Sequence, residues 1–242
     1  FAAIAWMGRS WLTGVEVAAV CCLESEKAAR RAREFNIPRF YTNVEEMLER
    51  ERPDALDIAT GPGTHLELTR LAARCGIHVI CQKPLAPSLN EAAEINRLAE
   101  EAGIRYMVHE NRRWQQWYRN IKAQLDEKRI GKIFYCHINS RSTGTVLTPE
   151  FREVPHHVKR QPFFKNMPRL ILYESAIHQF DVCRFLFDDP LSIYAQLQRV
   201  SPHVKGEDVA TTMLNYPDMT CVVELSFASR GYSTLPLSDE VC

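Results

Sequence analysis

The first half of the chain alternates short apolar runs with longer helix-like segments, and this repeated order limits the possible folds more than any other feature. Apolar runs at 15–21, 55–59 and 77–81 are each followed by a segment rich in Ala, Glu, Arg or Leu. Such alternation predicts βαβ units, and wholly apolar strands are typical of a parallel sheet buried on both faces. The sequence therefore predicts an α/β fold.

Capping residues mark where several of these helices begin and end. Asn43 precedes an acidic first turn, and Ser88 stands three residues before Glu91 in a capping box. Gly76 and Gly103 follow two predicted helices, where a glycine in the left-handed conformation commonly ends a helix.

The second half has a different pattern, in which strand-like runs follow one another. A stretch at 143–167 contains three proline residues and predicts no regular structure. Successive strands indicate a mostly antiparallel open sheet. We therefore place a domain boundary near Asn111, between residues 1–111 and residues 112–242. The predicted elements are helices at 114–125 and 170–187 and strands at 133–139, 192–200, 209–216 and 220–227.

Charge and hydropathy narrow the classes of partner. Lys plus Arg equals Asp plus Glu at 30 each, so the chain lacks the basic surplus that is usual in nucleic-acid-binding proteins. No apolar run reaches the roughly eighteen residues of a membrane-spanning helix. We therefore expect no nucleic acid and no membrane among the partners.

The cysteine pattern indicates reduced thiols. The eight Cys residues form no C-x-x-C pair and no zinc-finger spacing, and most lie inside apolar runs. We expect a cytoplasmic location. The adjacent His156 and His157 lack further candidate ligands, so no metal site is expected. The cysteines are Cys21, Cys22, Cys75, Cys81, Cys136, Cys183, Cys221 and Cys242.

The start of the chain does not resemble the start of a nucleotide-binding sheet. Such a sheet opens with a strand and a glycine-rich turn, whereas residues 1–6 resemble the middle of a helix and no G-x-G-x-x-G occurs. We expect that the sequence begins after the first strand and its glycine turn. Residues 229–242 have no clear pattern, and a segment could be omitted there.

The strongest local motif is a Lys–Pro pair at the end of a predicted strand. Gln82, Lys83 and Pro84 directly follow the apolar run. Because proline restricts its predecessor to extended conformations, Lys83 is expected to be held at the carboxyl edge of the sheet, where open α/β sheets bind ligands. The alternative is an ordinary loop lysine.

A second motif is the turn of Thr60, Gly61 and Pro62, which lies between a strand and a helix and is followed by His65. Small turn residues and a helix N-terminus let a phosphate or ribose approach the backbone. The alternatives are a plain strand-to-helix turn and, for His65, a helix-capping role.

A third motif places polar residues along one predicted helix. At about 100° per residue, Glu174, His178 and Asp181 fall within an arc of about 60°. This stripe borders the apolar face, as residues that line a cleft would. The alternative is a surface Glu–His pair worth a few tenths of a kcal/mol.

Together, these motifs resemble the glucose–fructose oxidoreductase / inositol dehydrogenase superfamily. Its Glu-Lys-Pro hallmark matches residues 82–84, and its Ala-Thr-Pro-Pro-x-x-His turn matches residues 59–65. Its Asn-x-Arg-aromatic element matches residues 111–114, and its Asp-x-x-x-His element matches residues 174–178. The order and spacing of the motifs agree from about 15 to 227.

The resemblance implies a Rossmann domain that binds NAD or NADP, here residues 1–111, and a C-terminal α/β domain for substrate binding and oligomerisation, here residues 112–242. It implies hydride transfer between nicotinamide and a secondary hydroxyl or ketone of a sugar, a cyclitol or a related small molecule. It also implies a homodimer or homotetramer. The implied catalytic residues are Lys83, His178 and Glu174. The cofactor-binding candidates are Cys22, Thr60, Gly61, Pro62, His65, Gln82, Lys83 and Asn111. The substrate-binding candidates are Lys83, Arg113, Trp114, Tyr173 and His178.

Chemistry assigns a role to each catalytic candidate. Alcohol oxidation removes a proton from oxygen, and an imidazole suits that step, so His178 is the expected general base. Lys83 would stabilise the developing alkoxide. Glu174 would orient or polarise this pair.

Three departures from the family pattern leave alternatives open. Gln82 replaces the usual Glu, Glu174 replaces the usual Asp, and Cys22 stands where many members carry the acid that bonds the ribose of NAD. One alternative is a nucleotide-binding regulator that has lost catalysis. Others are a different reaction with the same cofactor and a scaffold that binds no nucleotide.

Overall fold

The computed structural model describes residues 14–229 and 239–241. The chain divides into two compact units, Phe1–His109 and Glu110–Cys242. Each unit has a hydrophobic core of its own. The residues at the start of the chain that resemble a helix, and Cys242, lie outside the described residues.

The first unit alternates strands and helices, and all its described strand pairs are parallel. This arrangement confirms the predicted α/β fold. Strands β1 and β2 form one ladder, and β3, β4 and β5 form another in that order. The elements are β1 Ala19–Cys21, α1 Ser25–Glu34, β2 Arg39–Tyr41, α2 Val44–Glu51, β3 Ala55–Ile58, α3 His65–Arg74, β4 His78–Cys81, α4 Leu89–Glu101 and β5 Tyr106–Val108.

The predicted helix caps are present. The side chain of Asn43 accepts a hydrogen bond from the Glu46 backbone N–H at 3.0 Å, and Ser88 accepts one from Glu91 at 3.2 Å. Each cap satisfies a backbone donor that the first helical turn leaves without an intrahelical partner. Gly76 and Gly103 have φ values of 66° and 63°, which confirms two helix ends that favour glycine.

The second unit is built on a five-stranded sheet in the order β10-β6-β9-β8-β7. Among the strand pairs that the structure describes in this sheet, only β6–β9 is parallel, so the predicted mostly antiparallel sheet is confirmed. The elements are α5 Gln116–Asp126, β6 Tyr135–Arg141, α6 His156–Arg160, α7 Ile177–Phe187, β7 Ser192–Gln198, β8 Val209–Asn215, β9 Thr220–Ser226 and β10 Asp239–Val241.

The core of the second unit lies where α7 packs on the sheet. Ala176 and Cys183 belong to one buried cluster with Ile138, Cys221 and Val223. The Sγ atoms of Cys183 and Cys221 are 3.7 Å apart, which is too far for a disulfide bond. All seven cysteines in the described ranges carry free thiols.

The segment predicted to be irregular contains α6 and a 3₁₀ turn at Pro162–Asn166. The carbonyl of Gly144 accepts a hydrogen bond from the His157 backbone N–H at 2.9 Å, and the His157 ring covers the glycine. This ring also makes edge contacts with Phe164 and Phe227, at centroid distances of 6.1 and 4.7 Å. The segment is therefore a packed part of the unit.

Gly144→Ala is expected to destabilise the protein, because an added Cβ would lie 2.0 Å from the His157 Nδ1 atom. The ring is held between two phenylalanines, so we expect an overpacking cost of about 1–3 kcal/mol. That cost corresponds to a fall in melting temperature of about 2–10 °C. Gly63→Ala is the matched control, since a Cβ there would meet nothing within 4 Å. Equal melting temperatures for both variants would contradict this packing.

Candidate active site

Lys83 lies directly after the carboxyl end of β4, in the first unit. The chain is fixed there from both sides, because the backbone N–H of Gln82 donates to the Ile58 carbonyl at 2.8 Å and that of His109 donates to the Cys81 carbonyl at 2.6 Å. The Gln82 side chain accepts a hydrogen bond from the Lys83 backbone N–H at 2.9 Å. The Lys83–Pro84 peptide bond is cis. The residue that departs from the family pattern, Gln82, thus bonds the backbone of the lysine itself.

The turn after β3 exposes its backbone at the same carboxyl edge. Thr60 and Thr64 hydroxyls are 2.6 Å apart, and the Thr64 hydroxyl donates to the Gly61 carbonyl at 2.9 Å. A Cβ added at Gly61 or at Gly63 would meet nothing within 4 Å, and Pro62 begins a short 3₁₀ turn between them. An open backbone next to a helix start fits the phosphate or ribose of a dinucleotide.

His65 is fully buried, and both of its ring nitrogens face carbonyl oxygens of the chain. Nδ1 is 2.9 Å from the Leu85 oxygen, and Nε2 is 3.2 Å from the Thr60 oxygen. The ring therefore ties the turn after β3 to the segment that follows Lys83. A direct contact of His65 with a cofactor stays a prediction.

Cys22 follows β1 and is half-buried, with its backbone N–H donating to the Tyr41 carbonyl at 3.1 Å. Its neighbour Leu23 is 92% exposed. Glu24, the next residue with a side chain able to bond a ribose, forms an exposed ion pair with Lys27 at 3.4 Å.

In the second unit, the central feature is a largely buried hydrogen-bonded pair of His178 and Glu110. His178 Nδ1 lies 2.6 and 2.8 Å from the two carboxylate oxygens of Glu110. The side chains are only 17% and 9% exposed. A carboxylate can only accept, so Nδ1 of His178 donates this hydrogen bond and Nε2 is the nitrogen that is left to face a substrate. The backbone N–H of Arg112 also donates to Glu110, at 3.3 Å, which fixes the carboxylate.

The sequence patterns did not identify Glu110. The motif that resembles the family begins one residue later, at Asn111, and Glu110 and His178 are 68 positions apart. The sequence did contain one signal for it: Glu110 is a carboxylate two residues after the end of a predicted strand, and ligands of open α/β sheets bind at that edge.

Arg113 forms a two-pronged ion pair with Asp181. Its Nε donates to one carboxylate oxygen at 2.7 Å, and its Nη2 donates to the other. The guanidinium also lies 5.7 Å from the ring centroid of Phe185. The hydrogen bond to Asp181 raises the pKa of Arg113 and keeps it charged. Arg113 therefore anchors the segment after Glu110 to α7, and its contact with substrate stays a prediction.

The helix predicted at 170–187 is interrupted, because Leu172–Ala176 forms a π-helical turn before α7. The prediction of one face for Glu174, His178 and Asp181 assumed 100° per residue throughout, and the wider π turn changes that phase. His178 pairs with Glu110 and Asp181 pairs with Arg113. Glu174 and Tyr173 lie in the π turn and are half-buried. Turns of this kind are frequent at functional sites.

A 3₁₀ turn at Arg112–Trp114 begins directly after Asn111 and ends at Trp114. The Trp114 side chain is 64% exposed, and its backbone N–H donates to the Asn111 carbonyl at 3.2 Å. Within the described part of the chain, no group of three His, Cys, Asp or Glu residues could hold a metal ion. Helices long and apolar enough to cross a membrane are likewise absent from residues 14–229 and 239–241.

Comparison with known families gives a match to each unit. The oxidoreductase family GFO/IDH/MocA, with an NAD-binding Rossmann fold, matches residues 3–110. The GFO/IDH/MocA C-terminal domain matches residues 118–240.

Two named dehydrogenases are similar to this chain over most of its length. A D-apiose dehydrogenase of Paraburkholderia graminis is 36% identical over 220 residues, which cover 90% of this chain and 56% of the relative. The scyllo-inositol 2-dehydrogenase (NAD(+)) of Bacillus subtilis is 27% identical over 198 residues, covering 81% of this chain and 52% of the relative. The chain thus spans little more than half the length of these relatives.

A crystal structure with the same fold is that of an oxidoreductase from Agrobacterium radiobacter in complex with NAD+, L-tartaric acid and magnesium. It is 32% identical, with a TM-score of 0.86, over 95% of this chain and 64% of that chain.

Proposed function

Because the chain belongs to the GFO/IDH/MocA oxidoreductase family, we propose that the protein transfers a hydride between NAD(P) and a secondary hydroxyl or ketone of a sugar, a cyclitol or a related small molecule. The observation that carries this proposal is the pair of Glu110 and His178, which presents an oriented imidazole base. The dehydrogenases of D-apiose and scyllo-inositol among the relatives support the substrate class.

The imidazole would move the proton. His178 Nε2 would take the proton of the substrate hydroxyl, and the positive charge that forms on the ring would lie against the Glu110 carboxylate. A fixed negative charge at this distance stabilises the imidazolium and so favours proton removal. In the reductive direction, the same nitrogen would return the proton to the oxygen.

Lys83 would donate a hydrogen bond to the substrate oxygen and stabilise the negative charge that develops there. When bound, the nicotinamide supplies the hydride acceptor. The open turn at Thr60, Gly61 and Pro62 fits its phosphates or ribose, and Gln82 and His65 would hold the segment around Lys83. We also propose that Cys22 and Asn111 contribute to cofactor binding. Substrate binding would involve Glu174, Tyr173, Arg113 and Trp114.

The test of the proposed function is calorimetric titration of the full-length protein with NAD and, separately, with NADP. Binding of either, followed by turnover of D-apiose, D-xylose or scyllo-inositol, would support the proposal. Failure to bind either cofactor would refute it.

Glu110→Gln is expected to lower kcat about 10- to 100-fold. The amide cannot compensate the charge of the imidazolium, and a hydrogen bond to a charged group is worth about 1.5–3 kcal/mol. The affinity for NAD should not change. Glu153→Gln, at an exposed residue of the second unit, is the matched control. An unchanged kcat in Glu110→Gln would contradict the proposal that the carboxylate orients His178.

We also propose a homodimer or homotetramer. The edge strand β7 exposes Ile193 and Tyr194, at 62% and 60%, and Leu197 at 40%. An apolar edge of this kind is typical of a surface that another chain covers. Sedimentation velocity of the full-length protein measures the oligomeric state.

We further propose a cytoplasmic location and no nucleic-acid partner. The free thiols support the location, and the balanced charge argues against nucleic-acid binding.

A further inference from the structure

Two bridges join the same two segments of the second unit. Asp181 lies three residues after His178 on α7, and Arg113 lies three residues after Glu110. Nδ1 of His178 donates to Glu110 at 2.6 Å. Nε of Arg113 donates to Asp181 at 2.7 Å. The second bridge therefore repeats the first one, three residues further along both segments.

The spacing on α7 directs both bridges to one face of the helix. Three residues advance an α-helix by about 4.5 Å and turn it by about 300°, so His178 and Asp181 lie about 60° apart. Both belong to the regular helix that begins at Ile177, after the π turn. One bridge alone leaves a helix free to pivot about that contact, whereas two bridges along one face oppose the pivoting.

The opposite segment is a tight turn. The backbone N–H of Trp114 donates to the Asn111 carbonyl at 3.2 Å, and that of Arg112 donates to the Glu110 carboxylate at 3.3 Å. These bonds span the residues between Glu110 and Arg113, so one compact turn carries both side chains. A shift of Arg113 is therefore passed on to Glu110.

Arg113 is held at this position by two kinds of contact. Its Nε and Nη2 groups donate to the two carboxylate oxygens of Asp181, and a two-pronged grip of this kind fixes the planes of both groups. Its guanidinium also lies 5.7 Å from the ring centroid of Phe185, one helical turn after Asp181. The side chains of Arg113 and Asp181 are 30% and 16% exposed, so solvent screens their charges less than those of a surface pair.

Arg113 also acts on Glu110 through its charge. The hydrogen bond to Asp181 is the main cause that raises the pKa of Arg113, and the charges of Asp181 and Glu110 add to it while burial opposes it. This attraction is mutual, so Arg113 pulls on the same carboxylate that holds His178. Asp181 occupies the guanidinium and balances its charge. Without Asp181, the guanidinium would turn toward Glu110, the other carboxylate that attracts it.

We propose that Arg113 and Asp181 form a positioning pair that acts on the base through Glu110. The pair sets the angle at which Glu110 meets His178. Asp181 also balances the charge of Arg113, so that the cation does not draw the carboxylate away from the imidazole. The inference rests on the proposed function, in which His178 takes the proton of the substrate hydroxyl. The bonds to Asp181 use Nε and Nη2 of Arg113, which leaves Nη1 for the substrate contact proposed above.

Other titratable groups lie on the same segments. Besides the four residues of the two bridges, they are His109, Arg112, Tyr173, Glu174 and Arg184. The helix α7 packs on the sheet and on α5 through thiols, apolar side chains and the Tyr118 ring. Each of these groups is the same in all variants of the pair, so a difference between two such variants reports the pair itself.

The test compares variants that change the charge of the pair in opposite directions. In the oxidative direction, kcat/KM rises with pH because only the neutral imidazole can take a proton. Asp181→Asn removes a negative charge, which disfavours the imidazolium, so the midpoint of this rise should move to lower pH by about 0.3–1 unit. Arg113→Met removes a positive charge, so the midpoint should move to higher pH by a similar amount.

Two further variants separate charge from geometry. Arg113→Lys keeps the charge but cannot grip a carboxylate with two parallel N–H groups, so the midpoint should stay while kcat falls about 3- to 30-fold. The double variant of Arg113→Met with Asp181→Asn should restore the midpoint but not kcat. Lys122→Met is the control, because it removes a positive charge from an ion pair with Asp126 elsewhere in the same unit. Neither the midpoint nor kcat should change in the control.

The assay uses the full-length protein with NAD and D-apiose. A merely structural role for the pair would lower activity without moving the two midpoints in opposite directions. Shifts of the same sign in Asp181→Asn and Arg113→Met, or no shift in either, would therefore overturn the inference while the proposed function stands. A parent protein that binds neither NAD nor NADP would refute the proposed function instead.

A measurement without substrate tests the pair even if D-apiose is not turned over. Spectra of the full-length protein labelled with ¹⁵N-histidine report the protonation of each ring, and the His178 signals are those lost in His178→Ala. The titration midpoint of these signals should move down in Asp181→Asn and up in Arg113→Met. If Arg113→Met does not fold, Asp181→Asn decides alone, since it keeps the shape of the side chain. An unmoved midpoint in Asp181→Asn would then overturn the inference.

Discussion

Replacing His178 by alanine is expected to slow turnover about 10²- to 10⁴-fold, which is the usual contribution of a positioned general base. The imidazole is the group that Glu110 orients, and no water can take its place with the same fixed geometry, since the pair is largely buried. The measurement is kcat with saturating NAD and substrate. The dissociation constant of NAD should be unchanged, because His178 is not among the residues that we propose bind the cofactor.

The matched comparison is Glu110→Gln in the same assay. If His178 is the base and Glu110 its support, the histidine variant must be the slower of the two. Turnover in His178→Ala within about tenfold of the parent protein would overturn its assignment as the base. A slower Glu110→Gln than His178→Ala would mean that the carboxylate itself takes the proton.

Lys83→Met is expected to lower turnover about 10²- to 10³-fold, the range found when one donor to a developing oxyanion is removed. Methionine is similar to lysine in length and apolar volume but cannot donate a hydrogen bond. The backbone contacts that fix Gln82 and His109 do not involve the lysine side chain, so the unit should fold normally. The measurement is kcat/KM together with the melting temperature.

Lys132→Met is the control, because Lys132 forms only an exposed ion pair with Asp218. Activity of Lys83→Met equal to that of the control would remove Lys83 from the reaction. A large fall in melting temperature would indicate a structural role, and the loss of activity would then carry no mechanistic meaning.

The parallel fold of the first unit followed from local patterns. Apolar runs, caps such as Asn43 and Ser88, and glycines at helix ends all depend on neighbours in the sequence. The position of Lys83 at a strand end followed for the same reason. These features need no knowledge of which distant segments meet.

The pairing of His178 with Glu110 depends on tertiary structure. Nothing within a few positions of either residue specifies the other. The helical period suggested a partner on the same helix, Glu174, whose role stays a prediction. The short helix α6 was also missed, because five residues bounded by prolines on both sides carry too little periodicity to predict a helix. Local patterns therefore point to individual candidate residues, but they do not show which distant side chain each one contacts.

The π turn at Leu172–Ala176 allows one helical segment to make two sets of contacts whose directions do not fit a single regular α-helix. Before the turn, Glu207 accepts hydrogen bonds from the backbone N–H groups of Leu170 and Ile171. After it, Cys183 packs on the sheet and His178 meets Glu110. A π turn is an α-helix with one residue too many, so it adjusts the rotation between the two ends without moving either. The start of the segment and the histidine that it carries can therefore change separately in evolution.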